Sequence, residues 1–335
     1  MQPGEVKWRA QFFTDNCRLT ILYHFPMSDV VILGPQFQEP NLALALGRLG
    51  IEGQLVSISA GWQEREGEID ELRTHVRLPV TDLALYARTE RVFAHDAELH
   101  EAYRQRQGRL RELQDLYRLR LEHAKDAARE LVRRAGDPDL LRRAQRSAMH
   151  ALRTLDREHL RAIEREHANF RRDLRPQQRA SVVPHIQELR QLIEAATAVL
   201  VAGGHVAVLA NRLRLFDLQR LLAGKTLLAW SAGAMALSDC IVLFHDHPPQ
   251  GAGNAEVFDA GLGLLPGVVP LPHAQTRLTL HESSRIAMFA RRFAPAQCLT
   301  LDHGSLLHWR EGKLLGSGNS WRLSRQGELE EVRAA

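Results

Sequence analysis

The chain has 335 residues, 44% of them hydrophobic and 25% charged, with a formal charge of +4. That length allows one large domain or two smaller ones, and the composition is that of a globular protein with a sizeable core. So small a net charge makes no case for a nucleic-acid partner. The three cysteines, Cys17, Cys240 and Cys298, lie far apart without a CxxC, which excludes a disulfide framework and a cysteine-based zinc site.

The opening residues "MQPGEVKWRA" contain no apolar signal core, and no apolar stretch is long enough to span a bilayer. A soluble, cytoplasmic protein without a membrane partner is expected. "DVVILG", residues 29–34, is a short β-branched run ending in Gly34 and Pro35, and it reads as a buried parallel strand. "NLALALGRLG" reads as a helix stopped by Gly50. "QLVSISAGW", residues 54–62, reads as the next strand, giving a strand–helix–strand unit of an α/β fold. The polar turn "GWQEREGE" after it reads as a solvated loop or first helical turn.

Residues 96–180 differ in kind. Leu110, Leu113, Tyr117, Leu121, Ala124, Ala128 and Leu131 recur at steps of three and four, one helical stripe. "GDPD", residues 136–139, breaks the pattern, with Asp137 or Asp139 as a cap. A second stripe runs through Leu141, Ala144, Ala148, Leu152, Leu155 and Ile163. The spacing predicts an antiparallel helical hairpin projecting from the α/β body. This arm holds 21 Lys and Arg against 15 Asp and Glu. Solvated helix-supporting pairs account for such a surplus better than nucleic acid does, and self-association into a homo-oligomer is the partner role expected of the arm.

Beyond the arm the α/β pattern resumes. "HIQELRQLIEAA" reads as a helix, "AVLVAGG" as a strand, "VAVLANRLRLFDLQRLLAG" as one helix stopped by Gly224, and "KTLLAW" as a strand ending at Ser231. The expected organisation is a first α/β part over residues 1–95, the hairpin insertion over 96–180, and a second α/β part over 181–335. Ligands bind outside the carboxyl ends of strands in parallel α/β sheets, so Gly203, Gly204 and Ser231 fall on one functional rim.

"AWSAGA", residues 229–234, places a serine at a strand-to-helix corner among small residues. Such a corner presents the hydroxyl on a strained turn, with the next amide and the helix N-terminus facing a developing oxyanion. Ala229 stands where G-x-S-x-G has its first glycine. His245, His247, His273 and His303, with Asp246 and Asp302, fall near the same rim but lack any fixed metal-binding spacing, so neither metal nor cofactor is expected. His205 reads either as a substrate contact or as a plain loop residue, and His303 either as a surface residue or as a contact for an acidic group.

"VAGGHV", "AWSAGAMAL", "FDAGLGLLPG" followed by "PLPHAQ", and "LGSGNSW" together resemble the aspartyl dipeptidase (dipeptidase E) and cyanophycinase family of serine peptidases. The resemblance covers roughly residues 29–65 and 185–325. It implies a class I glutamine amidotransferase-like fold and a serine hydrolase acting on small peptides. Ser231 matches the family nucleophile and His273 its general base. Gly204 and the Ala232 amide match the oxyanion hole, with Gly203 admitting the substrate backbone. Asp246 stands where the dipeptidase has an aspartate important to activity. The family's acid, a glutamate just before a glycine, is replaced here by His303 before Gly304, with Asp302 one position earlier. Asp302, Asp246 or a Ser–His dyad remain as alternatives. The competing expectation is a non-catalytic protein that keeps the hydrolase fold and uses the arm for assembly. A glutamine amidotransferase is disfavoured, because that chemistry takes a cysteine at the corner.

Overall fold

The computed structural model describes residues 29–37, 39–245 and 255–334. β1 (Asp29–Leu33) is buried at four of its five positions, as its β-branched sequence requires. α1 (Leu42–Arg48) buries Leu42, Ala45 and Leu46, one face of a helix, and Gly50, at φ +62°, turns the chain towards β2 (Leu55–Ile58). β2 is shorter than its sequence predicts. The chain leaves it for a 3-10 stretch over Ala60–Arg65, where Gly61 packs backbone to backbone on Gly203. A Cβ on Gly61 would stand 2.4 Å from the Gly203 carbonyl oxygen.

α2 (Asp70–Val76), β3 (Val80–Asp82) and α3 (Leu85–His95) follow. The polar turn before them is structural. The Glu66 carboxylate accepts the Tyr86 and Ala87 amides, each at 2.9 Å, and so caps α3, while Glu64 accepts the Tyr86 hydroxyl at 2.8 Å.

The predicted hairpin is α4 (Ala97–Arg133) and α5 (Pro138–Leu174). Asp96 caps α4 at the Leu99 amide. Asp137 caps α5 at the Asp139 and Leu140 amides, with Pro138 in its first turn. Arg109–Glu166 and Arg120–Glu158 join the helices with opposite chain directions. The hairpin does not stand free of the body as its sequence predicts. Tyr117, Leu121, Ala128, Leu152 and Leu155 are buried in one cluster with Val257, because the two stripes meet each other and the body at the same seam.

α6 (Val183–Ala195) leads to β4 (Ala198–Val201). The single helix expected over 206–224 is two, α7 (Val206–Leu215) and α8 (Leu218–Leu222). Phe216 is fully buried and Asp217 takes a left-handed conformation, so the chain turns there rather than continuing. β5 (Leu227–Trp230), α9 (Ala232–Leu237), the antiparallel pair β6 (Cys240–Leu243) and β7 (Glu256–Ala260), β8 (Val268–Pro272), α10 (Ala274–Arg277) and α11 (Ser283–Phe293) come next. β9 (Gln297–Leu301), β10 (Leu306–Arg310), β11 (Lys313–Gly318), β12 (Trp321–Leu323) and β13 (Leu329–Glu331) complete the chain.

The main sheet has the order β11-β10-β1-β5-β4-β2-β3. β1, β5, β4, β2 and β3 are parallel, while β10 and β11 extend one edge antiparallel. Alternate residues feed opposite faces: Ile32, Val56, Val199 and Ala229 enter one core, and Leu33, Leu55, Leu200 and Trp230 the other. A second sheet, β13-β12-β9-β8, carries the parallel pair β8 and β9. Among the described residues, no helix is long and apolar enough to cross a membrane.

Candidate active site

β5 is buried throughout, and all six residues of α9 are buried after it. Two buried elements meeting at a single residue leave no room for a wide turn. Ser231 takes the corner at φ +50°, ψ −122°, a region that costs a non-glycine residue about 1–3 kcal/mol and persists only where its surroundings enforce it. Three glycines do so. A Cβ on Gly233 would stand 2.2 Å from the Val201 carbonyl oxygen, and one on Gly204, itself at φ +103°, 2.4 Å from that of Gly61. A Cβ on Gly203 would lie 2.9 Å from the Ser231 Cβ and 3.6 Å from the Ala232 nitrogen. Gly203 and the Ala232 nitrogen thus stand against Ser231, while Gly204 stands against Gly61. The first amides of α9 have no partner within the helix, and they form the electropositive end where a tetrahedral oxyanion would be stabilised.

His205 is exposed. Its own amide donates to the Gly61 carbonyl at 2.7 Å, and its Nδ1 accepts the Val208 amide at 3.4 Å, capping α7. Gln63, on the 3-10 stretch beside these glycines, has nearly the backbone angles of Ser231 (φ 60°, ψ −123°). Sequence reasoning missed it, because a glutamine in a polar turn carries no signal of strain.

His273 follows β8 in a left-handed conformation, φ +57°, and starts α10. Its amide donates to the Leu301 carbonyl at 3.0 Å, tying it to the end of β9. Burial lowers its imidazole pKa below the usual value, and the Arg277 and His303 charges push the same way. The group is therefore a neutral base at neutral pH.

Asp302 and His303 both lie past the end of β9, in the turn to β10. The strand alternation that would turn Asp302 away does not operate there, and Asp302 is the buried residue while His303 is exposed. The Asp302 Oδ1 accepts the Gln275 amide at 3.0 Å, so the carboxylate caps α10 directly beneath His273. Its Oδ2 is buried with no hydrogen-bond partner, and burial raises its pKa. The expected bond from Asp302 to the His273 ring is therefore not formed. Asp246 lies outside the described residues.

A close approach joins this turn to the serine corner. Gly34 follows β1, whose Leu33 pairs with Trp230 immediately before Ser231. The Gly34 amide donates to the Ser305 carbonyl at 2.9 Å, and a Cβ on Gly34 would collide with the Asp302 carbonyl oxygen at 1.8 Å. The Asp302–Ser305 turn therefore packs on the carboxyl end of β1, the strand beside the one that ends at Ser231.

Two crystal structures are similar at low identity. One is of a peptidase from an acI-B1 Actinobacterium, with 14% identity, a TM-score of 0.45, and coverage of 92% of this chain and 95% of that one. The other is of a putative peptidase E protein from Listeria monocytogenes EGD-e, with 12% identity, a TM-score of 0.42, and coverage of 89% and 100%. No curated protein matches. The model of peptidase family S51 matches residues 157–315. That segment begins within α5 and holds the glycine pair, the serine corner, His273 and the Asp302–Ser305 turn. Over that segment the chain is similar to peptidase family S51, in agreement with the resemblance carried by its motifs.

Proposed function

We propose that the protein is a serine peptidase acting on small peptides, with Ser231 as nucleophile and His273 as general base. The observation that carries this is the conformation of Ser231: a strained non-glycine corner, φ +50°, ψ −122°, walled by Gly203 and opening on the first amides of α9. A serine with only a packing role has no need of that strain. In the reaction, the Ser231 Oγ attacks the scissile carbonyl as its proton passes to His273. The Ala232 amide and the Gly203–Gly204 backbone stabilise the oxyanion, and His273 returns the proton to the departing amine. An acyl-enzyme forms and water then hydrolyses it.

One observation favours the second reading, a non-catalytic protein on a hydrolase fold. The Asp302 Oδ1 is taken up in capping α10, its Oδ2 makes no bond to the His273 ring, and His303 stands where the family has its acid, so among the described residues no carboxylate is hydrogen-bonded to that ring. Losing that acid can lower the rate by roughly four orders of magnitude in a serine triad. A fluorophosphonate probe separates the readings. Labelling of the wild type at Ser231, lost in Ser231→Ala and at least a hundredfold slower in His273→Ala, is the expected result. A folded wild type that takes no label, and leaves a panel of Asp-Xaa peptides uncut, establishes the non-catalytic reading.

A further inference from the structure

Away from the Ser231 rim, a cavity of about 130 Å³ lies in the seam between the helical hairpin and α11. Its floor is apolar, built from Leu152 of α5 and from Met288, Phe289 and Phe293 of α11. Its α4 wall presents Lys125, Arg129 and Arg133, spaced by four and therefore on one helical face.

Lys125 decides the chemistry. It lines the cavity, it is only 5% exposed, and its ammonium makes no hydrogen bond or ion pair among the described residues. Arg129, paired with Asp126 at 3.4 Å, faces it from its own helix, and Arg285 and Arg292 face it from α11. Glu282 and Ser284 stand at the cavity edge, at the start of α11. Arg292 is committed to Asp156 and to the Tyr117 hydroxyl. A buried ammonium without a partner among the described residues is costly unless something supplies the missing charge. Burial and the neighbouring arginines accordingly lower the Lys125 pKa to about 7.

We propose that this cavity binds a small organic anion, a single carboxylate on an apolar body, with the carboxylate on Lys125 and the body on Met288, Phe289 and Phe293. Size sets the class: an apolar cavity of roughly 150 Å³ accepts a benzene ring, so this one holds a single ring or a short alkyl chain. Phosphate offers charge but leaves the apolar floor uncovered. Because the cavity is walled by both the hairpin and α11, the bound anion holds the arm to the body. The proposal is independent of catalysis at Ser231.

Calorimetric titration of the full chain with benzoate, acetate and inorganic phosphate tests it. Benzoate is expected to bind at least tenfold more tightly than acetate or phosphate. Lys125→Met should weaken benzoate tenfold or more, and Met288→Glu, which places a like charge on the floor, should do the same by an independent route. Circular dichroism confirms that each variant is folded. Phosphate binding as tightly as benzoate, benzoate binding that survives Lys125→Met in a folded protein, or no benzoate binding to the wild type each overturns the proposal.

Discussion

At Ser231 the local sequence and the backbone agree. Small residues flank the serine in the chain, and the structure shows what each is for: Gly233 lets α9 approach β4, and Gly203 leaves room for the side chain itself. That much was legible, because a missing Cβ is written directly into a sequence. The surroundings of His273 were not, because they depend on where two turns meet. The family motif marks His273, yet nothing local shows that Asp302 caps α10 or that Arg277 and His303 face the imidazole. Those contacts lead to a prediction. With the pKa of His273 lowered first by burial and then by the neighbouring Arg277 and His303, the base form persists into mild acid. Peptide hydrolysis, or labelling of Ser231, should therefore rise with pH through an inflexion below the ordinary imidazole value of 6.5. Arg277→Met removes one of the opposing charges and should move that inflexion upwards. A wild-type inflexion at or above 6.5, or one unmoved by the substitution, removes His273 from the role of base or Arg277 from its surroundings.

Among the elements, the helical hairpin is legible almost to its ends, since its stripes and the Asp137–Pro138 cap are local signals. Its docking was not legible, because that depends on residues remote in sequence. Arg292 of α11 donates to both Asp156 oxygens, each at 2.7 Å, and to the Tyr117 hydroxyl at 2.9 Å, and Tyr117 in turn donates to Asp156 at 2.7 Å. The His159 ring stacks on Tyr117 with centroids 4.0 Å apart. In the sequence these are four polar residues on helices where solvated pairs are the ordinary expectation; in the structure they form a buried network that fastens the hairpin to the body. Removing one partner leaves the others buried and unpaired, which costs about 3–5 kcal/mol. Arg292→Met should lower the unfolding free energy by that order in a urea titration, with little dependence on salt because the pair is shielded from solvent. A loss below about 1 kcal/mol would show that water or a rearranged side chain replaces the pair, and that the network does not fasten the arm.

On the scale of the whole molecule, the two flanking parts of the chain are not separate bodies. β1, β2 and β3 from before the hairpin interleave with β4, β5, β10 and β11 from after it in one sheet. The parallel order follows from short strands linked by helices, whereas the second sheet, which positions His273 and Asp302, was not legible because β8 and β9 carry no pattern that distinguishes them from strands of the first. The hairpin interrupts this sheet in sequence without interrupting it in space, so its outer face is available for a role of its own. Leu116 and Leu119 on α4 are 59% and 57% exposed and three residues apart, on the side away from the body-facing Tyr117 and Leu121. We propose that this face joins two copies of the chain. The mass in solution tests this. Light scattering should give more than one chain for the wild type and one chain for Leu116→Glu combined with Leu119→Glu. The substitutions are chosen in place of deleting the hairpin because deletion would also strip the cover from Val257 and α11 and confound assembly with unfolding. A wild type that is monomeric, or an oligomer indifferent to both charges, shows that this face of the arm does not pair the chains.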